Sequence, residues 1–143
     1  MAIKQVSVFV ENKFGRVAEI LDILKDNDIN MSALSLADTT GFGILRLIVN
    51  DPSKTADALR NQGITVKTTD VLAVSMDDKP GGLASLLNIL KEAQVSIEYM
   101  YAFIGKNEGT AAMVMKVDDQ AKAVNCLESK GVYMLDAHDI YRL

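Results

Sequence analysis

The sequence predicts an α+β fold built from two βαββαβ units in tandem, each with an antiparallel sheet and its helices on one face. The first observation is an internal repeat, because the chain of 143 residues matches itself at a shift of 66 and, further along, at a shift of 68. Self-similarity of this kind is typical of a duplicated structural unit. The second observation is that, inside each copy, segments whose apolar residues alternate as in strands are followed by segments whose apolar residues recur at helical spacing. Matching pairs include Lys13 with Lys79, Gly15 with Gly81, Leu24 with Leu90, Val49 with Val117 and Gly63 with Gly131.

The first copy carries the signals of each element in turn. Its opening segment alternates and is rich in β-branched residues, which predicts a strand, and apolar residues then recur at helical spacing. The Asp51-Pro52-Ser53 step predicts a second helix start with Ser53 as N-cap, and Gly63 predicts its end. In order, we predict a strand at 3–10, a helix through 17–24, strands at 30–37 and 43–49, a helix from 51 and a strand at 64–68.

The second copy shows the same order. Leucines at helical spacing follow its first apolar run, and Gly131 predicts the end of its second helix. In order, we predict a strand through 71–74, a helix through 83–90, strands at 97–104 and 110–117, a helix at 119–129, a strand at 132–135 and further β-like chain to 141.

This order of elements is the split βαβ, or ferredoxin-like, unit. Right-handed crossovers put both helices on one face of a four-stranded antiparallel sheet and leave the other face open. A unit of roughly 65 residues buries little apolar surface by itself. We therefore expect residues 1–69 and 70–143 to form two units that share burial, packed sheet beside sheet or face to face.

Composition excludes several classes of protein. The net charge of −4 is spread along the chain without a basic cluster, so we expect neither nucleic acid nor a membrane as partner. A single cysteine, Cys126, is consistent with a reducing compartment, and a cytoplasmic location is expected. The lone histidine, His138, has no serine or cysteine near it in sequence. We predict no catalytic residues, no metal site and no cofactor.

The loop that precedes the first helix of each copy contains a glycine, Gly15 or Gly81, where a helix should start. A helix start presents unpaired backbone N–H groups and a partial positive charge. Glycine lets another group approach that backbone closely, so the loop could bind a carboxylate or a phosphate. The alternative is that each glycine only permits a tight turn.

Two asparagines support the binding interpretation in the first copy. Asn12 lies in the same loop as Gly15, and Asn30 lies after the first helix, where we expect the second strand to begin beside that loop. An amide both donates and accepts hydrogen bonds, so two of them could hold the ammonium and carboxylate groups of a free amino acid. Each asparagine could instead form a local turn or cap. The second copy has Asp78 and Ser96 in these positions, and Asp78 would repel a carboxylate.

These motifs resemble those of a tandem pair of ACT domains, the small regulatory units attached to many enzymes of amino-acid metabolism. The resemblance rests on KPGGLA at 79–84, its degenerate counterpart KFGRVA at 13–18, and DINM at 28–31. It implies that an effector amino acid binds at an interface between two units, through the first loop and the start of the second strand. Asn12, Gly15 and Asn30 match the ligand-contacting positions of serine-sensing members. The chain departs from the family pattern at Phe14, where proline is usual, and at Asp78 and Ser96.

The sequence therefore predicts a non-catalytic regulatory or sensor protein that binds a free amino acid, with a homodimer and a metabolic enzyme as possible partners. One alternative is a protein-interaction module without a ligand. A more distant one is a small acylphosphatase-like hydrolase, which would need an arginine cradle in the first loop; the first copy offers Arg16, whereas the second has Gly82. The predicted ligand-binding residues are Asn12, Phe14, Gly15, Arg16, Asn30, Met31, Gly81, Gly82 and Leu83.

Overall fold

The computed structural model describes residues 3–39, 41–104 and 109–140. It confirms the α+β prediction of two βαββαβ units. Within the described residues, no helix is long and apolar enough to span a membrane. The elements are β1 (Ile3–Glu11), α1 (Arg16–Asp26), β2 (Met31–Asp38), β3 (Phe42–Val49), α2 (Pro52–Asn61), β4 (Val66–Asp77), α3 (Gly82–Glu92), β5 (Ile97–Ala102), β6 (Thr110–Val117), α4 (Gln120–Ser129), β7 (Met134–Leu135) and α5 (Ala137–Ile140).

The first unit, Lys4–Thr69, contains a sheet with the strand order β2-β3-β1-β4. β3 is antiparallel to both of its neighbours, with Leu45 opposite Val8 of β1 and opposite Leu36 of β2. β1 and β2 therefore run in the same direction, as a strand–helix–strand crossover requires. Beside β1, the N–H of Phe9 donates to the carbonyl of Thr65 at 3.0 Å, at the entrance to β4.

Alternation along the strands of the first unit places one set of side chains under α1 and α2. Ile20 and Leu24 of α1 and Leu59 of α2 are buried because they recur at helical spacing on the face that meets the sheet. Opposite them, alternate residues at positions 6, 8 and 10 of β1 and 45, 47 and 49 of β3 are apolar and buried. The buried core comprises Val6, Val8, Val10, Ile20, Leu24, Leu45, Leu47, Val49, Ala56, Leu59, Ile64 and Val66.

The second unit begins at Asp70, inside the long strand β4. In its sheet β4 lies between β6 and the short β7, and β5 pairs with the other side of β6. The core repeats that of the first unit and comprises Leu72, Val74, Leu86, Leu90, Val95, Met115, Val117, Ala123 and Leu127. The strand predicted at 97–104 ends at Ala102.

The second helix of each unit begins at an aspartate. The carboxylate of Asp51 accepts from the N–H of Lys54 at 3.1 Å, and that of Asp119 accepts from the N–H of Lys122 at 3.1 Å. The prediction of Ser53 as N-cap was wrong, because Pro52 already occupies the first helical position and pushes the cap back to Asp51.

The C-terminal segment corrects a second prediction. The β-like chain expected up to residue 141 is instead the short helix α5 at Ala137–Ile140, and residue 141 lies outside the described residues. Asp136 and Asp139 cap each other: the Asp136 N–H donates to Asp139 at 3.0 Å, and the Asp139 N–H donates to Asp136 at 2.9 Å. The Tyr133 hydroxyl also donates to Asp139, at 2.9 Å. Because the Asp136 N–H and the Tyr133 hydroxyl favour the charged form, the pKa of Asp139 lies below its ordinary value of 3.8.

We predict that Asp51→Ala and Asp119→Ala each lower the free energy of unfolding by about 1 kcal/mol, because each leaves a helix without its N-cap. Ser53→Ala should change it by less than about 0.5 kcal/mol, as expected for a surface substitution without a capping role. Urea denaturation followed by circular dichroism measures all three. An effect of Ser53→Ala as large as that of Asp51→Ala would contradict the cap assignment.

Asp139 should make the stability of the C-terminal segment pH-dependent. Its pKa is lower in the folded chain, so its stabilising contribution is complete well above 3.8 and disappears as the pH falls through the folded pKa. Asp139→Asn should therefore be less stable than wild type at neutral pH, with a difference that shrinks on acidification below pH 3.8. Thermal unfolding at a series of pH values tests this. Asp57→Asn, on exposed α2 surface, is the matched control for the loss of a carboxylate elsewhere on the surface.

Candidate functional site

Both β–α loops end in a glycine with left-handed backbone. Gly15 has φ of 77° and Gly81 has φ of 85°, and each is the N-cap residue of the helix that follows. Glycine adopts these angles without the steric cost that a side chain would add. A Cβ at either position would meet nothing within 4 Å, so the backbone angle rather than crowding accounts for glycine here. The helix starts stay open to solvent on this side.

Each of these loops carries the same ion pair. In the first unit, Lys13 Nζ lies 3.3 Å from Glu11 Oε2, and in the second, Lys79 Nζ lies 3.6 Å from Asp77 Oδ2. All four side chains are largely exposed, so each pair adds little to stability, about 0–1 kcal/mol. Each ion pair places an ammonium group beside a carboxylate group at its loop. No local sequence pattern singles out these residues as ligand contacts, although the repeat places them in matching positions.

Asn12 lies at the mouth of a cavity of about 240 Å³ in the first unit. Its lining combines apolar side chains from β1, α1 and β2 with charged side chains of both signs. No hydrogen-bond partner for the Asn12 side chain is found among the described residues, so its amide can bond to a ligand or water. The lining residues are Val10, Glu11, Asn12, Lys13, Val17, Leu36, Ala37, Asp38 and Gly43.

Strand register explains why Asp38 joins this cavity. Glu11 is opposite Phe42 on one side of β3, and Asp38 is opposite Gly43 on the other. The ends of β1 and β2 therefore lie at the same end of the sheet as the start of β3. Asp38 was missed because its position depends on the pairing of β2 with β3, which no local sequence pattern specifies.

Two further predicted residues of the first loop do not line this cavity. The side chain of Phe14 is fully exposed at the tip of the loop. Arg16 is the first residue of α1, and its Nη1 donates to Glu19 Oε2 at 2.9 Å, one turn along the helix. The guanidinium of Arg16 therefore already has a carboxylate partner within its own helix.

The structure places Asn30 and Met31 at the other end of the sheet from Asn12. β2 runs from Met31 to Asp38, so about 23 Å of strand at 3.3 Å per residue separates its start from the end beside Asn12. The expectation that β2 begins beside the first loop was wrong, because α1 returns the chain to the end of the sheet where β1 started. Asn30 and Met31 line a second cavity of about 530 Å³, together with Leu21, Leu24, Lys25, Asp28 and Ile29.

The backbone of Asn30 is fixed by Asn50. The N–H of Asn30 donates to Asn50 Oδ1 at 3.1 Å, and the N–H of Asn50 donates to the Asn30 carbonyl at 3.1 Å. Ser96 and Asp118 form the same reciprocal pair in the second unit, at 3.0 and 3.1 Å. Neither bond in the first unit uses the Asn30 side chain, which can therefore contact a ligand.

The second unit differs around its loop. A Cβ at Gly82 would lie 2.2 Å from the Asp77 carbonyl, so no side chain fits there, whereas the first unit holds Arg16 at the matching position. Gly82 lines a cavity of about 230 Å³ on the Val132 side of α3, and Leu83 packs against the core. Ser85 of this cavity matches Glu19. In the first unit the Arg16–Glu19 pair occupies this position. In the second unit Gly82 and Ser85 line it instead.

With this geometry in view, comparison with known proteins identifies the class. The model of the family described as ACT domain pair matches residues 1–143, so this chain belongs to that family. The resemblance drawn from the loop motifs is confirmed. The comparison with curated proteins found no match.

Solved structures share the fold. Protein BT0572 from Bacteroides thetaiotaomicron is 41% identical, with a TM-score of 0.93 over 100% of this chain and 98% of the other. The regulatory subunit of aspartate kinase from Thermus thermophilus, in a ligand-free form, is 12% identical with a TM-score of 0.63, covering 88% of this chain and 90% of the other. The corresponding subunit from Thermus flavus is 13% identical with a TM-score of 0.61 over the same shares. The similarity to the two Thermus proteins shows a common fold.

We predict that Gly82→Ala destabilises the chain by about 2 kcal/mol, because the added methyl must displace the Asp77 backbone. Arg16→Ala, at the matching position of the first unit, should cost less than about 1 kcal/mol, since it removes a partly exposed ion pair and displaces no backbone. Chemical denaturation of both variants measures the difference. Equal effects would contradict the tight packing of the second loop.

Proposed function

We propose that this protein is a non-catalytic regulatory sensor that binds a free amino acid at an interface between ACT units. The observation that carries the proposal is the cavity beside Asn12, whose lining combines apolar side chains with charges of both signs. Membership of the ACT domain pair family supports a regulatory role.

The rim of this cavity fits the two charges of a free amino acid. Lys13 can pair with an α-carboxylate, and Asp38 or Glu11 can accept from an α-ammonium. Lys13 Nζ and Glu11 Oε2 lie 3.3 Å apart, so a ligand carrying both charges could exchange partners with this exposed pair at little cost. The amide of Asn12 can bond to either ligand group.

The floor and the size of the cavity favour a small side chain. Val10, Val17 and Leu36 supply apolar contacts. The volume of about 240 Å³ is below the roughly 300–1,000 Å³ of pockets for drug-sized ligands. Gly43 helps to keep the space open, because a Cβ there would lie 3.5 Å from Leu36 Cδ1. A small, partly apolar amino acid suits these dimensions.

The positions of Asn12 and Asn30 support a site at an interface. They lie at opposite ends of the same sheet, so an amino acid that contacts both takes Asn30 from a second copy of the chain. A ligand held in this way stabilises one arrangement of the units over another. The shift that it can cause is limited by its difference in affinity for the two arrangements. The receiver of that signal would be a metabolic enzyme.

The alternative of an interaction module without a ligand is favoured by one observation, the full exposure of Phe14 at the loop tip. A partner that docked on this loop would remove the apolar surface of the ring from water. The hydrolase alternative finds no support, because the Arg16 guanidinium is paired with Glu19 at 2.9 Å instead of forming a cradle in the loop.

A thermal-shift screen against the twenty amino acids tests the proposal. A ligand present at a hundredfold its dissociation constant adds about 2.7 kcal/mol of stability, which raises the melting temperature by about 5 °C or more. We expect one amino acid, or a small related group, to give this shift, and Asn12→Ala to abolish it because the variant loses the amide at the cavity mouth.

Asp78→Ala is the matched control, since Asp78 occupies the position of Asn12 in the second unit. This variant should keep the shift. Absence of any shift with the wild type would favour the interaction module. A shift lost in Asp78→Ala but kept in Asn12→Ala would place the site in the second unit.

A further inference from the structure

Asp38 carries the unpaired carboxylate of the cavity beside Asn12. It is the last residue of β2, it is exposed, and no partner for its carboxylate is found among the described residues. Glu11, the other acidic residue of the lining, has its Oε2 3.3 Å from Lys13 Nζ. The cavity therefore holds one carboxylate that is matched by a cation and one that is not.

The backbone around Asp38 is fixed. Asp38 is opposite Gly43 in the pairing of β2 with β3. Just beyond it, the Thr39 N–H donates to the Phe42 carbonyl at 2.8 Å, and the Thr39 hydroxyl donates to the same oxygen at 2.7 Å. Because these bonds tie the end of β2 to the start of β3, the Asp38 carboxylate stays beside the cavity and keeps only the freedom of its own side chain.

Lys13 is the one cationic side chain in the described lining of this cavity. Arg16, at the start of α1, has its guanidinium bonded to Glu19 at 2.9 Å. A free amino acid brings its own α-carboxylate, which takes Lys13, and its α-ammonium then takes Glu11 by an exchange of partners. Asp38 is left to face the side chain of the ligand.

We propose that Asp38 is the specificity-determining residue of this site, which admits neutral amino acids and excludes those with a side-chain carboxylate. This inference rests on the proposed function, because it concerns the same ligand site. A second carboxylate on the ligand would find no free cation among the lining residues that the structure describes, and it would be set against Asp38. Repulsion between like charges is a means of rejecting the wrong ligand.

The size of the cavity brings any acidic side chain under the influence of Asp38. A sphere of 240 Å³ is about 8 Å across, no more than the screening length of about 8 Å at physiological ionic strength. A carboxylate anywhere inside is therefore repelled by the Asp38 charge. A side-chain amide of the same shape carries no charge, and its N–H groups can donate to Asp38 instead.

The second unit lacks this carboxylate. At the repeat shift of 66, Asp38 corresponds to Ile104, whose side chain is 60% exposed. The ion pair of the loop is repeated there as Asp77 and Lys79. The acidic residue after the second strand thus belongs to the first unit alone, and selection by Asp38 would act only in that unit.

Two pairs of amino acids isolate the effect of charge. Glutamate and glutamine have nearly the same shape, as do aspartate and asparagine, and the members of each pair differ in one side-chain charge. The amide NMR signal of Gly43, which lines the cavity, reports binding even when it is weak. At low salt we expect each side-chain amide to bind the wild type roughly tenfold more tightly than its acid. Added salt should narrow this difference, because Asp38 is exposed.

Asp38→Asn should remove the discrimination. The variant replaces the carboxylate by an amide of the same shape on an exposed side chain, so its melting temperature should stay close to that of the wild type. Its affinity for glutamate and aspartate should rise roughly tenfold relative to the amides. Asp57→Asn, on the exposed surface of α2, makes the same change in net charge and should keep the wild-type ratio.

The outcomes separate this inference from the proposed function. An acidic amino acid that binds the wild type as tightly as its amide, or that Asp38→Asn still excludes, overturns selection by Asp38, whereas binding of any amino acid keeps the sensor function. If none of the twenty amino acids perturbs the wild type or Asp38→Asn, the sensor function fails and selection by Asp38 fails with it.

Discussion

The crossover from β1 through α1 to β2 determines where the candidate side chains of the first unit can lie. β1 and β2 run in the same direction, so the helix between them must carry the chain back along the sheet. The loop before α1 and the loop after it consequently open at opposite ends. Asn12 and Asn30 are separated for this reason, and the first unit has one cavity at each end of β2.

The sequence predicted the fold because the repeat and the hydrophobic spacing reflect burial, which is the dominant favourable term in folding. It also located both loop glycines. It failed where two local signals competed: Asp51 and Ser53 are both good caps, and Pro52 decides between them. The cavities were beyond prediction because strand register, not neighbouring sequence, brings Asp38 to Asn12. The error over Asn30 came from considering proximity along the chain without the direction of the helix.

Duplication gave two units with similar cores and different surfaces. Leucine, isoleucine, valine and methionine exchange across matching core positions, which packing tolerates when volume is kept nearly constant. Outside the core, Arg16 and Glu19 correspond to Gly82 and Ser85, and Ser32 of β2 corresponds to Glu98 of β5, whose carboxylate lies 3.3 Å from Lys116 Nζ. In a duplicated chain of this kind, the two units can carry different functions.

The reciprocal hydrogen bonds between Asn30 and Asn50 have a consequence for the cost of binding. Both backbone groups of Asn30 are already held, so only its side-chain rotation remains to be lost when a ligand arrives. Asn50 is neutral, so the strength of this support is largely independent of ionic strength. The backbone at the start of β2 is therefore pre-organised, so a ligand that bound there would not first have to order it.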